Sequence, residues 1–281
     1  MNKQFEESLI LLAIEEDFGS GDHTSQASIP SDSTGKASLI IKEPGVLAGI
    51  RVAKNIFSLI DPKLKIKCLL SDGERVNIGE VAFVVSGNSR KILQAERLVL
   101  NFMQRMSGIA TETSKYVTQI KGTKAKILDT RKTSPGLRHF EKEAVRIGGG
   151  MNHRMGLYDM IMIKDNHIDL SGSIELAIDG VHDYMNQKKI NIPVEIEARN
   201  IDDVEKIIRH GGVDRIMLDN FNPEQTMHAV EKINSLFETE SSGGISISNI
   251  LDYALCGVDF ISVGALTHQI HSLDMSLKVV C

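Results

Sequence analysis

Apolar positions change their period near residue 120. Phe5, Leu9, Leu12 and Ala13 recur at helical spacing, which predicts a helix over residues 5–14. Gly19 and Gly21 then end it. Short β-type runs follow at 37–41, 64–69 and 81–85, separated by the turn pairs Pro44-Gly45, Asp61-Pro62, Asp72-Gly73 and Gly87-Asn88. That pattern predicts an α+β module, closed by a helix over about 92–106. Beyond Gly122, β-type runs at 125–129, 160–164, 193–197, 215–219 and 260–264 alternate with helical stretches. The helices are predicted at 137–146, 174–187, 204–209, 223–237 and 247–255. Repeated strand–helix units imply a parallel sheet. Gly19-Ser20-Gly21 stands outside any strand-to-helix turn, so the dinucleotide fingerprint of an open sheet is missing. The fold class expected is therefore α/β, a closed or nearly closed β/α barrel behind an N-terminal α+β module. The stretch 236–240, Leu-Phe-Glu-Thr-Glu, is more acidic than a barrel strand should be, which leaves the limits of the strand before Ser241 undefined.

Composition narrows the class. The 281 residues carry 32 Lys+Arg and 37 Asp+Glu, a formal net charge of −5. That length accommodates one large domain or two of moderate size. A mildly acidic total excludes the broad basic face of a nucleic-acid binder. No apolar run approaches the ~20 residues of a bilayer-spanning helix, so no membrane association is expected. Residues 1–7 lack the charged-then-apolar pattern of a signal peptide. Cys68, Cys256 and Cys281 are widely spaced, with no Cys-x-x-Cys. A disulfide framework and a cysteine zinc site are excluded on that ground, and a cytoplasmic location is expected.

Candidate chemistry collects at strand ends. Asp129, Lys164, Glu197, Asp219 and Gly264 each close a β-type run. In β/α barrels the C-terminal ends of the strands converge on one mouth. Each residue alone is equally well the start of a loop; five together point to a shared site. Between Arg131 and Lys164 lie the bases Arg131, Lys132, Arg138, Lys142, Arg146, Arg154 and Lys164, against the acids Glu141, Glu143 and Asp159. Arg131 and Lys132, directly after a strand, with Arg154 and Lys164, suit a small substrate bearing several negative groups. Lys142 and Arg146 lie mid-helix and are assigned to a solvated outer face. Glu197 and Asp219 are open to three roles: a general acid/base pair, salt-bridge partners, or ligands of a hard divalent cation. The glycines of Ser242-Gly243-Gly244 and Val263-Gly264-Ala265 let backbone approach an anion, as phosphate loops late in barrels do. His268 and His271 have no third partner at a zinc-binding spacing. No nucleophile elbow or Walker loop is present.

With these residues in place, the chain resembles the quinolinate phosphoribosyltransferase family nearly end to end. The densest match is Asp129-Thr130-Arg131-Lys132-Thr133-Ser134-Pro135-Gly136-Leu137-Arg138, followed by Asn152-His153-Arg154 and Ile163-Lys164-Asp165-Asn166-His167. Glu16 to Thr24, Glu96 to Asn101, Ser107 to Thr111 and Val263 to His268 extend it. The resemblance implies an N-terminal sandwich domain over 1–105, joined by the tail at about 270–281, and an incomplete β/α barrel over 106–269. It implies that quinolinate and phosphoribosyl pyrophosphate give nicotinate mononucleotide, pyrophosphate and carbon dioxide, with Mg2+ as cofactor, for de novo NAD synthesis. It implies a homodimer or a hexamer of dimers. By position, Arg131, His153, Arg154 and Lys164 would hold the quinolinate carboxylates, with Arg97 entering the neighbouring site and Thr130 nearby. Lys132 would lie between the pyridine acid and the phosphoribosyl group, with Glu197 and Asp219 at the ribose hydroxyls and magnesium. Ser242, Gly243, Gly244, Val263, Gly264, Ala265 and His268 would meet phosphate. Rival readings are a same-scaffold homologue of the molybdenum-transport-associated type, acting on a different acid or base, and a catalytically silent phosphate-binding protein. The silent protein predicts loss of Lys132, Glu197 or Asp219, and all three are present. A nicotinate phosphoribosyltransferase, with one substrate carboxylate, would hardly need Arg97, Arg131, Arg154 and Lys164 together.

Overall fold

The computed structural model describes residues 3–280, which form two compact units. The first takes the chain to Ser114, together with 134–149 and the tail from Gln269. Its main sheet is antiparallel, in the order β12 (Met275–Val280), β1 (Thr34–Ile41), β5 (Val81–Asn88), β3 (Lys65–Cys68). A small ribbon pairs β2 (Gly45–Val46) with β4 (Arg75–Val76). Along β1, Ala37, Leu39 and Ile41 are buried while their neighbours are partly open, the two-residue period of a sheet with one covered face. Helix Ile50–Ile60 buries Val52, Ala53, Ile56 and Phe57. Phe57 meets Phe83 of β5 edge to face, with ring centroids 5.9 Å apart.

The helix expected over 92–106 runs from Ser89 to Gln119. Ser107-Gly108 lies inside it, and the small size of the pair is what packing requires. Ser107 Oγ accepts from the Ala48 amide at 2.9 Å and donates to the Ala48 carbonyl at 3.0 Å. A Cβ at Gly108 would press on the backbone of His271 and Ser272. The domain boundary expected at 105/106 lies inside this continuous helix, and the first compact unit keeps the helix as far as Ser114. Helix Arg138–Ile147, expected among barrel helices, counts with the first unit. It buries Phe140, Glu141, Lys142, Ala144 and Val145. Lys142, assigned from sequence to a solvated face, is 1 % exposed, because this helix hides a face wide enough to include it. Arg146 is exposed.

The second unit is a six-stranded parallel sheet of β6 (Lys126–Leu128), β7 (Ile161–Ile163), β8 (Val194–Ala198), β9 (Arg215–Asp219), β10 (Glu238–Ser242) and β11 (Phe260–Ser262). Its order is β6-β11-β10-β9-β8-β7. Successive strands are neighbours from β7 to β11, and β11 returns to β6, so the barrel is incomplete between β6 and β7. Helices Ile174–Lys188, Ile201–His210 and Pro223–Ile233 start on Ser173, Asn200 and Asn222, each accepting from an amide of the first turn. The third stops four residues before the predicted end, because Asn234 turns left-handed at φ 45°. The acidic stretch before Ser241 is strand β10 itself, and Glu240 is wholly buried there. Cys68 and Cys256 are free thiols, and Cys281 lies outside the described residues.

One ion pair tests the packing of the first unit. Buried Glu141 receives Arg105 Nη2 at 2.6 Å and Nε at 2.9 Å, with the Ser134 amide on its other oxygen at 3.2 Å. Removing one partner of a buried pair strands the other charge. Arg105→Met is expected to lower unfolding free energy by about 3 kcal/mol in urea denaturation, whereas the exposed Lys124–Asp259 pair, broken the same way, should cost under about 1 kcal/mol.

Candidate active site

Strand period and register assign the charged residues of the second unit to one face. Side chains alternate along a strand, and paired residues on neighbouring strands share a face. Glu195 pairs with Arg215, Met217 with Glu240, and Asp219 with Ser242. Val194, Ile196, Ile216, Leu218 and Ile261 make up the opposite face, all buried. The polar face thus carries two tiers. Arg215, Glu195 and Glu240 lie deeper; Lys164, Glu197, Asp219 and Ser242 form the rim at the C-terminal strand ends.

At the rim, Lys164 Nζ lies 2.5 Å from Glu197 Oε1, and the Asp165 amide donates to Oε2 at 3.4 Å. Asp219 accepts from Asn220 Nδ2 at 2.8 Å. Asn220 takes φ 58° and gives its amide to the Ser242 carbonyl at 2.8 Å. Gly243, at φ 94°, packs so closely on Asn220 that a Cβ would collide with its side chain. Burial, then the Glu197 charge, raises the Asp219 carboxyl above its ordinary range, against the Asn220 bond and Lys164.

The cations come from three loops. Arg131 and Lys132 are exposed just beyond β6. Thr130 Oγ1 accepts from the Lys132 amide at 3.0 Å, and Thr267 Oγ1 donates to the Lys132 carbonyl at 2.8 Å. The Lys132 and His268 side chains flank Gly264, where a Cβ would sit 3.2 Å and 3.0 Å from them. Arg154 donates through Nη1 to the Met160 carbonyl at 3.1 Å. Burial, then the like charge of Arg131, lowers the Arg154 pKa, with Glu195, Asp159 and Glu197 opposing. Arg131 and Arg154 therefore feel one another, a concentration of positive charge that an anionic ligand would relieve.

His153, Val263 and Arg97 complete the expected residues. The His153 side chain is only 4 % exposed and lies 2.9 Å from Glu195 Oε2 and 3.4 Å from Glu240 Oε2, so Nε2 is turned to the barrel interior. Val263 is buried and gives its amide to the Leu128 carbonyl at 2.9 Å. Arg97 is exposed on the long helix of the first unit.

The family model for the quinolinate phosphoribosyl transferase N-terminal domain matches residues 22–107, and that for the C-terminal domain matches 109–278. The chain belongs to the quinolinate phosphoribosyltransferase family. The chloroplastic nicotinate-nucleotide pyrophosphorylase [carboxylating] of Arabidopsis thaliana is 46% identical over 97% of this chain and 82% of its own length. The probable nicotinate-nucleotide pyrophosphorylase [carboxylating] of Bacillus subtilis is 43% identical over 94% of this chain and 90% of its own. The crystal structure of NadC from Streptococcus pyogenes superposes with a TM-score of 0.94 at 38% identity, over 100% of this chain and 98% of that one.

In this quinolinate phosphoribosyltransferase family member, sequence reasoning passed over Asn220, Glu195, Arg215 and Glu240. Two-residue alternation was the available signal: Glu195 shares the face of Glu197, Arg215 that of Asp219, and Glu240 that of Ser242. The three buried groups His153, Glu195 and Glu240 bring ligand atoms within 4.8 Å of one another. Arg215 Nη1, 3.0 Å from Glu240 Oε2, already supplies a cation there. Burial opposes a charged His153 ring, but Glu195 and Glu240 outweigh it and raise the pKa to about 9. Burial and Glu240 raise Glu195 to about 7, against His153 and Arg215. The Arg154 amide donates to His153 Nδ1 at 2.7 Å, so the proton shared with Glu195 lies on the Nε2 side. The titration belongs to the pair rather than to either group.

Both values lie above the ordinary 6.5 and 4.5. The stability linked to the His153–Glu195 pair is therefore lost as pH rises towards about 9, whereas Glu240, where burial is outweighed by His153 and Arg215 and the carboxyl is lowered, loses its share only at acid pH. Calorimetric melting temperatures are expected to fall from pH 6 to pH 9, and less so in Glu195→Gln, whose amide does not titrate. An equal fall in both proteins would refute the assignment.

Proposed function

We propose that the protein transfers the phosphoribosyl group of phosphoribosyl pyrophosphate to quinolinate, giving nicotinate mononucleotide, pyrophosphate and carbon dioxide for NAD synthesis. The observation that carries this reading is one barrel rim uniting Arg154 and Lys164 with the carboxylates Glu197 and Asp219. Quinolinate is a dianion. Arg131, Arg154 and Lys164 would take its two carboxylates, each a charge-assisted contact. Nicotinate has one carboxylate and would leave part of that positive charge unmatched. Lys132 beside His268 and Gly264, with Thr130, Ser242, Gly243, Gly244 and Ala265, would line the phosphoribosyl end.

The chemistry follows from charge. As the C1′–oxygen bond to pyrophosphate lengthens, the ribose carbon becomes positive and the departing oxygens negative. Glu197 and Asp219 beside the ribose favour the first change, and Lys132 the second. The quinolinate nitrogen attacks C1′, and the ring becomes a cation. The bond to the neighbouring carboxylate then breaks, its electron pair stays on the ring carbon beside the cationic nitrogen as carbon dioxide leaves, and a proton from solvent at that carbon completes nicotinate mononucleotide. Orientation is the main service of the protein, and a well-held pair can gain ~7–11 kcal/mol from it. Magnesium fits the donor set: Glu197 and Asp219 are hard oxygen ligands, and the raised Asp219 carboxyl marks negative charge that a dication would relieve. Bound there, it would neutralise charge on pyrophosphate.

The same reading places Arg97 in the site of a neighbouring subunit, which makes a homodimer, or a hexamer built from dimers, the working unit. It places the protein in the cytoplasm, while the Arabidopsis relative is described as chloroplastic.

Incubation with phosphoribosyl pyrophosphate, magnesium and quinolinate is expected to release carbon dioxide, and nicotinate in its place is expected to give no nucleotide. Nicotinate turnover at a comparable rate would sink the reading. Arg131→Ala should fold normally and lose roughly 30-fold in kcat/KM for quinolinate, about 2 kcal/mol for one charged contact. Unchanged steady-state kinetics would reject that role for Arg131.

A further inference from the structure

Among the described residues, those other than glycine with a positive φ are Lys189, Asn220, Asn234 and Ser235. Lys189 and Asn234 are the left-handed caps of helices Ile174–Lys188 and Pro223–Ile233, and Ser235 follows the second. Asn220 ends no helix. It stands directly after β9, at φ 58°, at the mouth of the barrel. Glycine takes that conformation at no steric cost, and asparagine takes it less readily. Asn220 is exposed, and an exposed side-chain hydrogen bond adds little to stability. A strained residue standing where glycine would serve the fold points to work for its side chain.

That side chain joins two strand ends. Nδ2 donates to Asp219 Oδ2 at 2.8 Å, at the end of β9. The carboxamide also lies against Gly243, just past β10, where a Cβ would stand 2.6 Å from Asn220 Cγ. The Asn220 main chain makes its own tie to β10, through the Ser242 carbonyl at 2.8 Å, which any residue at this position would keep. The far side of the same loop is held separately, by Asn249 Nδ2 donating to the Gly244 carbonyl at 3.2 Å. The carboxamide is thus a wedge, with a carboxylate on one side and the glycine backbone of the Ser242-Gly243-Gly244 loop on the other.

We propose that Asn220 is a positioning residue whose carboxamide sets the Asp219 carboxylate at a fixed spacing from the Ser242-Gly243-Gly244 loop, so that the ribose and a phosphate of phosphoribosyl pyrophosphate are met together. The inference rests on the function proposed above. Its effect is confined to the phosphoribosyl end, because the pyridine end is held by other contacts: Lys164 pairs with Glu197, and the Arg154 guanidinium donates to the Met160 carbonyl.

The test is steady-state kinetics of the whole protein, each substrate varied in turn, with thermal melting, for wild type, Asn220→Gly, Gly243→Ala and the double variant. Asn220→Gly keeps the left-handed turn and removes only the wedge, so its melting temperature should stay within about 2 °C of wild type or rise. Its KM for phosphoribosyl pyrophosphate is expected to rise roughly tenfold, the scale of one hydrogen bond to a charged group, with the quinolinate KM within about twofold. Gly243→Ala drives a methyl into the carboxamide and should raise the same KM. On the Asn220→Gly background that collision is gone, so the added cost of Gly243→Ala should shrink, as it does for residues in contact. If Gly243→Ala does not fold, the Asn220→Gly kinetics decide alone. Wild-type kinetics or a large loss of melting temperature in Asn220→Gly, equal rises in both KM values, or additive costs in the double variant would overturn the positioning role while the reaction stands. A wild type that never consumes quinolinate overturns the function and this inference with it.

Discussion

Charge inside the barrel has to balance tier by tier, because a carboxylate taken out of water costs several kcal/mol unless a cation or a proton meets it. The lower tier meets this with Arg215 between Glu238 and Glu240, and with the proton held among His153, Glu195 and Glu240. The upper tier meets it only in part. Lys164 answers Glu197, while Asp219 keeps a raised carboxyl and Arg154 a depressed guanidinium pKa. The lower tier is therefore closed and structural, and the upper tier is left with unmet charge of both signs. A substrate that carries two carboxylates at one end and phosphates at the other answers that imbalance.

The backbone serves the same end. Asn220 accepts a left-handed conformation so that its amide reaches Ser242 and its side chain reaches Asp219, and only a glycine at 243 leaves room for it. The loop after β6 is pinned through Thr130 and Thr267, which fixes the main chain of Lys132 and leaves its side chain beside His268. Residues on short, tightly bonded turns thereby reach the rim with little freedom, as a reaction dependent on orientation requires.

Much of this was legible in the residues. The switch to alternating strand and helix predicted the parallel sheet, and the strand-end residues Lys164, Glu197 and Asp219 do meet at one rim. Glu240 left the limits of its strand undefined, because an acidic residue suits a buried strand only when its partners, Arg215 on the next strand and His153 from a distant loop, are known. Lys142 looked like a solvated mid-helix lysine for a similar reason: burial on a helix depends on how wide a face is covered. The helix predicted to stop near 106 runs on through Ser107-Gly108, whose small size lets the His271–Ser272 backbone cross.

The sequence by itself determined the order of elements, the identity of the strand-end groups and the family, because these depend on local period and on motif spacing within one stretch of chain. Only the tertiary structure decided which charges are spent on one another and which remain for a ligand. His153 could be separated from Arg154, its immediate neighbour, only by seeing that one side chain enters the barrel and the other does not. Pairing across strands depends on register and through-space distance, and neither is written in the spacing of residues along the chain.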